Sequence, residues 1–315
     1  MSLEQLSRDE IQARLSGSPE TRAALIRAGA EAGIAEAQAV YGQILLDGAG
    51  VMRDPREGLR WFLLAAGQNH LMALNMVGRC YDLGWGIAID KVRAADCYRV
   101  AAERGLDWAM YNLATLLTLG EGVAEDKPAA FAWFEKAAAL GNVKAVNFLG
   151  SFQEDGWVVA KDMAKAATCY RRAAEGGDFR GRFNHARMLI AAGEIEKALL
   201  WLRRSAKDAT ARFAAQAADW LARQPEQRLR EAAAFFSASV SRSDGEGDHP
   251  QGGGGVEAVN VAVRARPSKS LPIPLHHAAA DGCCAAGSAF RHAPGMPRLH
   301  SPPPGFTAGR SSAPR

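Results

Sequence analysis

No apolar run in the chain approaches the roughly 18 to 20 residues that a membrane span requires, so no transmembrane helix is expected. The start, MSLEQLSRDEIQARL, is polar and amphipathic. It lacks the basic, apolar and small-residue succession of a secretory signal, and a cytoplasmic location is the expectation. Cysteine is scarce: five, an odd number, which makes a poor disulfide framework without export. Cys80, Cys97 and Cys169 fall in helical patterns, and Cys283 and Cys284 lie near the end. Cys80 and Cys97 stand on neighbouring helices in this reading, so a bridge is geometrically conceivable, although a reducing compartment disfavours it. Charge of one sign is lacking too. Thirty-eight basic and 34 acidic residues leave a formal net charge of only +4, and no strong basic stripe appears, so no nucleic-acid partner is expected. There is no His-Glu-x-x-His helix and no Cys-x-x-Cys pair, so no metal centre and no cofactor are expected.

What is present is a repeat. Ala37, Ala73, Ala109 and Ala145 are 36 residues apart. Four positions on come Tyr41, Val77, Leu113 and Leu149, then the small residues Gly42, Gly78, Ala114 and Gly150. Leu45, Tyr81, Leu117 and Gln153 follow, and after them Gly48, Gly84, Gly120 and Gly156. Apolar residues at steps of four make one helix face, and the glycine ends the helix because it tolerates a positive φ. A second glycine recurs at Gly50, Gly86 and Gly122, with Val158 in the fourth copy. Asp54, Asp90, Asp126 and Asp162 then read as N-caps of a second helix, and Pro55 suits the first helical position.

The second helix repeats a pair led by an aromatic or cysteine: Trp61-Phe62, Cys97-Tyr98, Trp133-Phe134 and Cys169-Tyr170. It also repeats a small pair: Ala65-Ala66, Ala101-Ala102, Ala137-Ala138 and Ala173-Ala174. The aromatics supply buried area and the alanines let helix axes approach. Trp61, Trp133 and Trp201 are assigned to the core. The helix ends at Asn69, Gly105, Gly141 and Gly177. A degenerate helix, SPETRAALIRAGAEAG, precedes these copies; a fifth copy starts near Gly181 and is shortened by about four residues at its loop. The predicted fold is all-α: a right-handed α/α superhelical solenoid of about five to six helix pairs. Capping helices are expected over 1–36, repeats over 37–208 and closing helices over 209–240. The terminal repeats are atypical because their outer faces meet water.

These residues resemble the Sel-one-like repeat family, a relative of the tetratricopeptide repeat. The third copy, AMYNLATLLTLGEGVAEDKPAAFAWFEKAAALGN, carries the resemblance most clearly. It covers about residues 20 to 208, and Val158, Gln153 and the short fifth loop depart from the pattern. The resemblance implies a protein-binding scaffold or adaptor, with no enzymatic activity. The alternative it leaves open is a hydrolase or penicillin-binding activity, as in cysteine-rich secreted relatives.

No catalytic constellation emerges from the residues. Gly84-Trp-Gly86 and Gly120-Glu-Gly122 follow helices rather than strands, so they read as interhelix turns and not as phosphate loops. His185 stands at an apolar helix position and reads as a core histidine. For a partner segment the expected surface is the concave face lined by first helices. If the apolar positions point at the second helix, that face carries Asn75, Arg79 and Asp82, then Tyr111, Thr115 and Thr118. It continues with Asn147, Ser151, Glu154 and Arg187, while Gln43 of the first copy is blander. Side-chain amides both donate to and accept from a peptide backbone, which suits an extended protein or peptide ligand. On this reading Tyr111 is the central anchor, and Asn75→Ala or Arg79→Ala leaves the melting temperature almost unchanged.

From Arg242 onward the chain turns to Gly, Pro, Ala, Ser and Arg, a composition that cannot bury enough apolar surface to fold. Residues 241–315 are expected to be a disordered tail, and the scattered histidines His249, His276, His277, His292 and His300 fit no ordered metal site. Limited proteolysis is expected to trim the chain to a resistant core ending near 235 to 245. Loss of cooperative unfolding on removal of 245–315 would contradict this.

Overall fold

A computed structural model describes residues 6–237. The expected tail lies outside the described residues. Those residues are all-helical and fall into two compact units, 6–166 and 167–237. The first holds α1 (Arg8–Leu15), α2 (Pro19–Glu31), α3 (Ala35–Asp47), α4 (Pro55–Gly67) and α5 (Leu71–Leu83). It continues through α6 (Lys91–Glu103), α7 (Asp107–Leu119), α8 (Lys127–Ala139) and α9 (Val143–Asp155). The unit boundary falls within α10 (Met163–Glu175). In the second unit follow α11 (Phe179–Ala191), α12 (Ile195–Asp208), α13 (Ala211–Ala222), α14 (Gln227–Ala232) and α15 (Ala234–Ser237).

In the first unit each helix packs on its sequence neighbours from α2 to α9. This is the consecutive helix-pair architecture of a helical-repeat solenoid. The helices α3 to α9 are all 13 residues long. Two such helices, a seven-residue turn and a three-residue turn make up the period of 36. The seven-residue turn is held the same way in every copy. The backbone N–H groups of Asp54, Asp90, Asp126 and Asp162 donate to Leu45, Tyr81, Leu117 and Gln153, nine residues back. Their carboxylates then accept the N–H groups of Glu57, Arg93, Ala129 and Lys165 at 2.9–3.0 Å, as N-caps. One backbone contact thus closes the turn while the side chain of the same residue starts the next helix.

The second glycine of the turn serves a different purpose. A Cβ on Gly122 would lie 2.2 Å from the carbonyl carbon of Lys91, and one on Gly86 2.4 Å from the carbonyl oxygen of Pro55. Each turn therefore lies directly on the start of the preceding second helix, backbone against backbone, with no room for a side chain. In the fourth copy Val158 takes this place, and its side chain is exposed.

The core assignments need one correction. In the aromatic pairs the second member fills the core: Phe62, Tyr98, Phe134 and Tyr170 are at most 1% exposed. Trp61 and Trp133 are only half-buried, as is Trp201 in the second unit, and Lys136 lies over the Trp133 ring with Nζ 4.2 Å from its centroid. Adjacent helix residues point about 100° apart, so only one of a neighbouring pair can face the first helix squarely. The small residue opposite explains which one: a Cβ on Gly42 or Gly78 would meet the Phe62 or Tyr98 ring within 2.8 Å.

The second unit has a core of its own, from Phe179, Phe183, Leu202, Phe213, Leu221, Leu229 and Phe236. The loop from α11 to α12 has three residues, not seven, which is the shortening read from the sequence. Ser205, fully buried, donates to the carbonyl of Phe179 at 2.8 Å and ties the end of α12 to the start of α11. The closing helix read from QPEQRLREAAAFF is broken at Ala233 into α14 and α15.

Phe134→Ala is expected to lower the unfolding free energy by about 3–5 kcal/mol, the range for a fully buried large aromatic. Trp133→Ala, next to it and half-buried, is expected to cost less than half of that. Urea unfolding of the two variants measures the difference, and equal costs would refute the assignment of Phe134 rather than Trp133 to the core.

Candidate protein-interaction face

A first helix inside the first unit is packed on more than one side, and this decides where the predicted groove residues lie. Tyr111 on α7 is buried, its ring 6.0 Å from Phe134 on α8 and 5.7 Å from Phe148 on α9. Asn75 on α5 is wholly buried, and its Oδ1 accepts from Asn112 Nδ2 on α7 at 2.9 Å. These residues join one copy to the next. Arg79, Thr118, Asn147 and Glu154 are buried as well. Arg79 lies over the Trp85 ring at 4.7 Å, and Thr118 donates back to the carbonyl of Ala114 at 2.7 Å. The expectation that Asn75, Arg79, Tyr111, Thr118, Asn147 and Glu154 line an open groove is therefore corrected. The physical reason is that a repeat's first helix also packs on its neighbours, not only on its own second helix.

Asp82 is half-buried and engaged. Tyr98 donates to its Oδ2 at 3.1 Å, and Lys91 to its Oδ1 at 2.5 Å. Lys91 also pairs with Glu121 of the next turn at 2.8 Å. Burial works against the Lys91 ammonium, but the bonds to Asp82 and Glu121 outweigh it and hold its pKa above the ordinary value. The same burial pushes the Tyr98 phenol well up, with the Asp82 charge adding to it. Thr115, Ser151 and Arg187 are half-buried. Thr115 bonds back to the carbonyl of Tyr111 at 2.9 Å, and Arg187 donates to Asn184 at 2.9 Å.

The surface that remains is offset along each first helix. Glu36, Met72, Trp108 and Lys144, spaced by 36 residues at the helix starts, are all partly exposed. One and two turns further along the same face come Val40 and Asn112, then Gln43, Thr115 and Ser151. Trp108 is the large aromatic of this row. Its ring meets Tyr111 edge-on at 6.4 Å, and Lys144 Nζ lies 5.4 Å from its centroid. Beside the row, helix starts are tied together. His70 Nδ1 accepts from the N–H of Ala73 as N-cap of α5, while its Nε2 donates to Glu36 at 2.7 Å. That hydrogen bond holds the Glu36 carboxyl below its ordinary range. Asn142 repeats the device: it caps α9 through Ala145 and donates to Asp107 at 3.1 Å. None of Glu36, Met72, Trp108 and Lys144 was among the residues expected at the interface from the sequence. The available signal was that Trp108 breaks the polar or small character expected of a helix start.

Cys80, Cys97 and Cys169 are free thiols. Burial pushes Cys80 up to about 12 and Cys97 up to about 11, so neither is a thiolate nucleophile near neutrality. Among the described residues no group of three or more His, Cys, Asp or Glu is placed to hold a metal ion. No helix among them is long and apolar enough to cross a membrane. In the second unit, burial lowers the His185 pKa and the positive charge of Arg171 lowers it further, against Glu175 and Glu194.

Comparison with known proteins gives the same architecture. The family model described as Sel1 repeat matches residues 35–70, 71–106, 109–142, 143–178 and 194–209. The crystal structure of a Sel1 repeat protein from Oxalobacter formigenes is similar, with a TM-score of 0.54 and 26% identity over 65% of this chain and 87% of that one. A protective antigen present in uropathogenic Escherichia coli strains, displaying an SLR fold, has a TM-score of 0.52 and 26% identity. That similarity covers 74% of this chain and 52% of the antigen. No curated protein matches the chain.

Two outcomes follow. Arg79→Ala is expected to destabilise the fold by about 2 kcal/mol, the scale of a desolvated cation–π contact, as measured by denaturant unfolding; an unchanged midpoint would show that the burial carries no energy. For His185 the folded pKa lies below the unfolded value of about 6.5, so the unfolded chain binds more protons. Its stabilising contribution is complete above that value and is lost as pH falls toward the folded pKa. NMR titration is expected to show His185 below 6.5 and to show Arg171→Gln raising it.

Proposed function

The chain belongs to the Sel1 repeat family, and from that premise we propose that it is a non-catalytic scaffold that binds a protein partner along the first-helix face of 6–166. Sel1 repeats are generally protein–protein interaction modules. The observation that carries the reading is the row of Glu36, Met72, Trp108 and Lys144, partly exposed at equivalent places on successive first helices. It offers an acidic, an apolar, an aromatic and a basic side chain in a fixed order. Neighbouring first helices are about 10 Å apart, and an extended peptide advances up to about 3.3–3.6 Å per residue. A segment of roughly nine residues would therefore meet all four. The order of charges would set its direction, with a basic residue near Glu36 and an acidic one near Lys144. The cytoplasm remains the proposed location.

The cysteine-rich hydrolase alternative finds no support in the described cysteines, which are reduced and buried or half-buried.

Trp108→Ala is expected to weaken partner binding by about 2 kcal/mol or more, as for an aromatic hot spot. The partner would be captured on the full chain, identified by mass spectrometry, and titrated by calorimetry. Equal affinity for wild type, Trp108→Ala and Lys144→Glu, with all three folded, would move the interface off this face.

A further inference from the structure

The second unit carries positive charge that its own carboxylates do not neutralise. From 167 to 237 there are thirteen Lys and Arg against eight Asp and Glu. Several are paired: Arg182 with Asp208, Lys197 with Glu194, Arg223 with Asp219 and Arg228 with Glu196. Four others are exposed, Arg171 and Arg172 on α10 and Arg203 and Arg204 on α12. None of these four forms an ion pair among the described residues.

Two of the four are held over aromatic rings. The Arg204 guanidinium lies over the half-buried Trp201, 4.8 Å from the ring centroid. His185 of α11 meets the same indole edge-on at 5.3 Å, and Arg171 acts electrostatically on that imidazole from α10. Arg203 is held over Phe235 at 4.8 Å. A guanidinium resting on a ring has its face covered and its in-plane N–H donors left for a ligand. Holding it there reduces the side-chain entropy still to be lost on binding.

We propose that the arginine-bearing surface of α10 and α12 in the second unit, centred on Trp201 with Arg204 over its ring, docks an acidic segment of a partner polypeptide. Carboxylates match the guanidinium fork two bonds at a time, and the half-buried Trp201 ring beside Arg204 gives the segment's aliphatic atoms a contact. A polypeptide fits better than a nucleic acid. Glu175 and Glu194 lie close enough to act on His185, and they would repel an unbroken line of phosphates, whereas a polypeptide can set neutral residues opposite them. This surface is separate from the first-helix row of 6–166 and does not depend on it.

The test is fluorescence anisotropy of a labelled eight-residue peptide of alternating glutamate and serine, titrated with the full chain at low ionic strength. Arg171→Glu with Arg204→Glu is expected to weaken binding by about tenfold or more, as for charges that face a ligand directly. Arg171→Gln with Arg204→Gln is expected to weaken it by less while circular dichroism and melting stay unchanged, which separates lost contact from lost fold. Arg60→Glu with Lys136→Glu, the same change in net charge placed on α4 and α8, is expected to leave affinity unchanged. Equal weakening by that control would reduce the effect to general attraction and overturn the proposal. So would a single-stranded oligonucleotide of the same charge that displaces the peptide and depends on the same two arginines. Trp108→Ala is expected to leave binding of this peptide intact, so failure here and failure of the first-helix reading are told apart.

Discussion

Each first helix in the middle of 6–166 is enclosed by its own second helix, by the preceding second helix and by the next first helix, and the rest of the structure follows from that enclosure. Tyr111 touches rings on α8 and α9, and Asn75 reaches Asn112 on α7. Only a strip along the helix is left for solvent. The strip fixes which residues are available to a partner. The enclosed faces fix why small residues recur where they do, since a methyl group on Gly78 would collide with Tyr98.

The enclosure is reinforced by polar ties that pass from one copy to the next. Lys91 joins Asp82 of its own copy to Glu121 of the following turn. His70 and Asn142 each cap one first helix while bonding an acidic residue at the start of the preceding one. A buried ion pair alone is weak evidence of stability, because desolvation offsets much of the attraction. Here the ties set register: each donor or acceptor has its partner only if adjacent copies stack in step. The glycine turns act in the same direction, because Gly86 and Gly122 rest on the backbone of the previous copy.

The two units expose different chemistry. The first presents mixed side chains at equivalent places on successive helices, a surface suited to reading a sequence of residues. The second presents arginines mounted on aromatic rings, a surface suited to reading charge. A chain of helix pairs can carry both because each pair is stabilised mainly by its nearest neighbours, which leaves the outward residues of one region free to differ from those of another.

Period, helix pairs, turn glycines, aspartate caps and the shortened fifth loop were all legible in the sequence. They depend on local rules: apolar spacing, positive φ and N-capping act over a few residues and repeat without ambiguity. Asp54, Asp90, Asp126 and Asp162 are the plainest case, capping as their spacing implied. The exposure of the candidate interaction face was not legible in this way. Sequence periodicity shows which side of a helix is apolar, but not how many neighbours cover its polar sides. Asn75 and Arg79 are polar yet enclosed, whereas Met72 and Trp108 are apolar yet partly exposed. The choice between Trp133 and Phe134 for the core likewise rested on a rotation of about 100°, and only the packing of one helix against another fixes that angle.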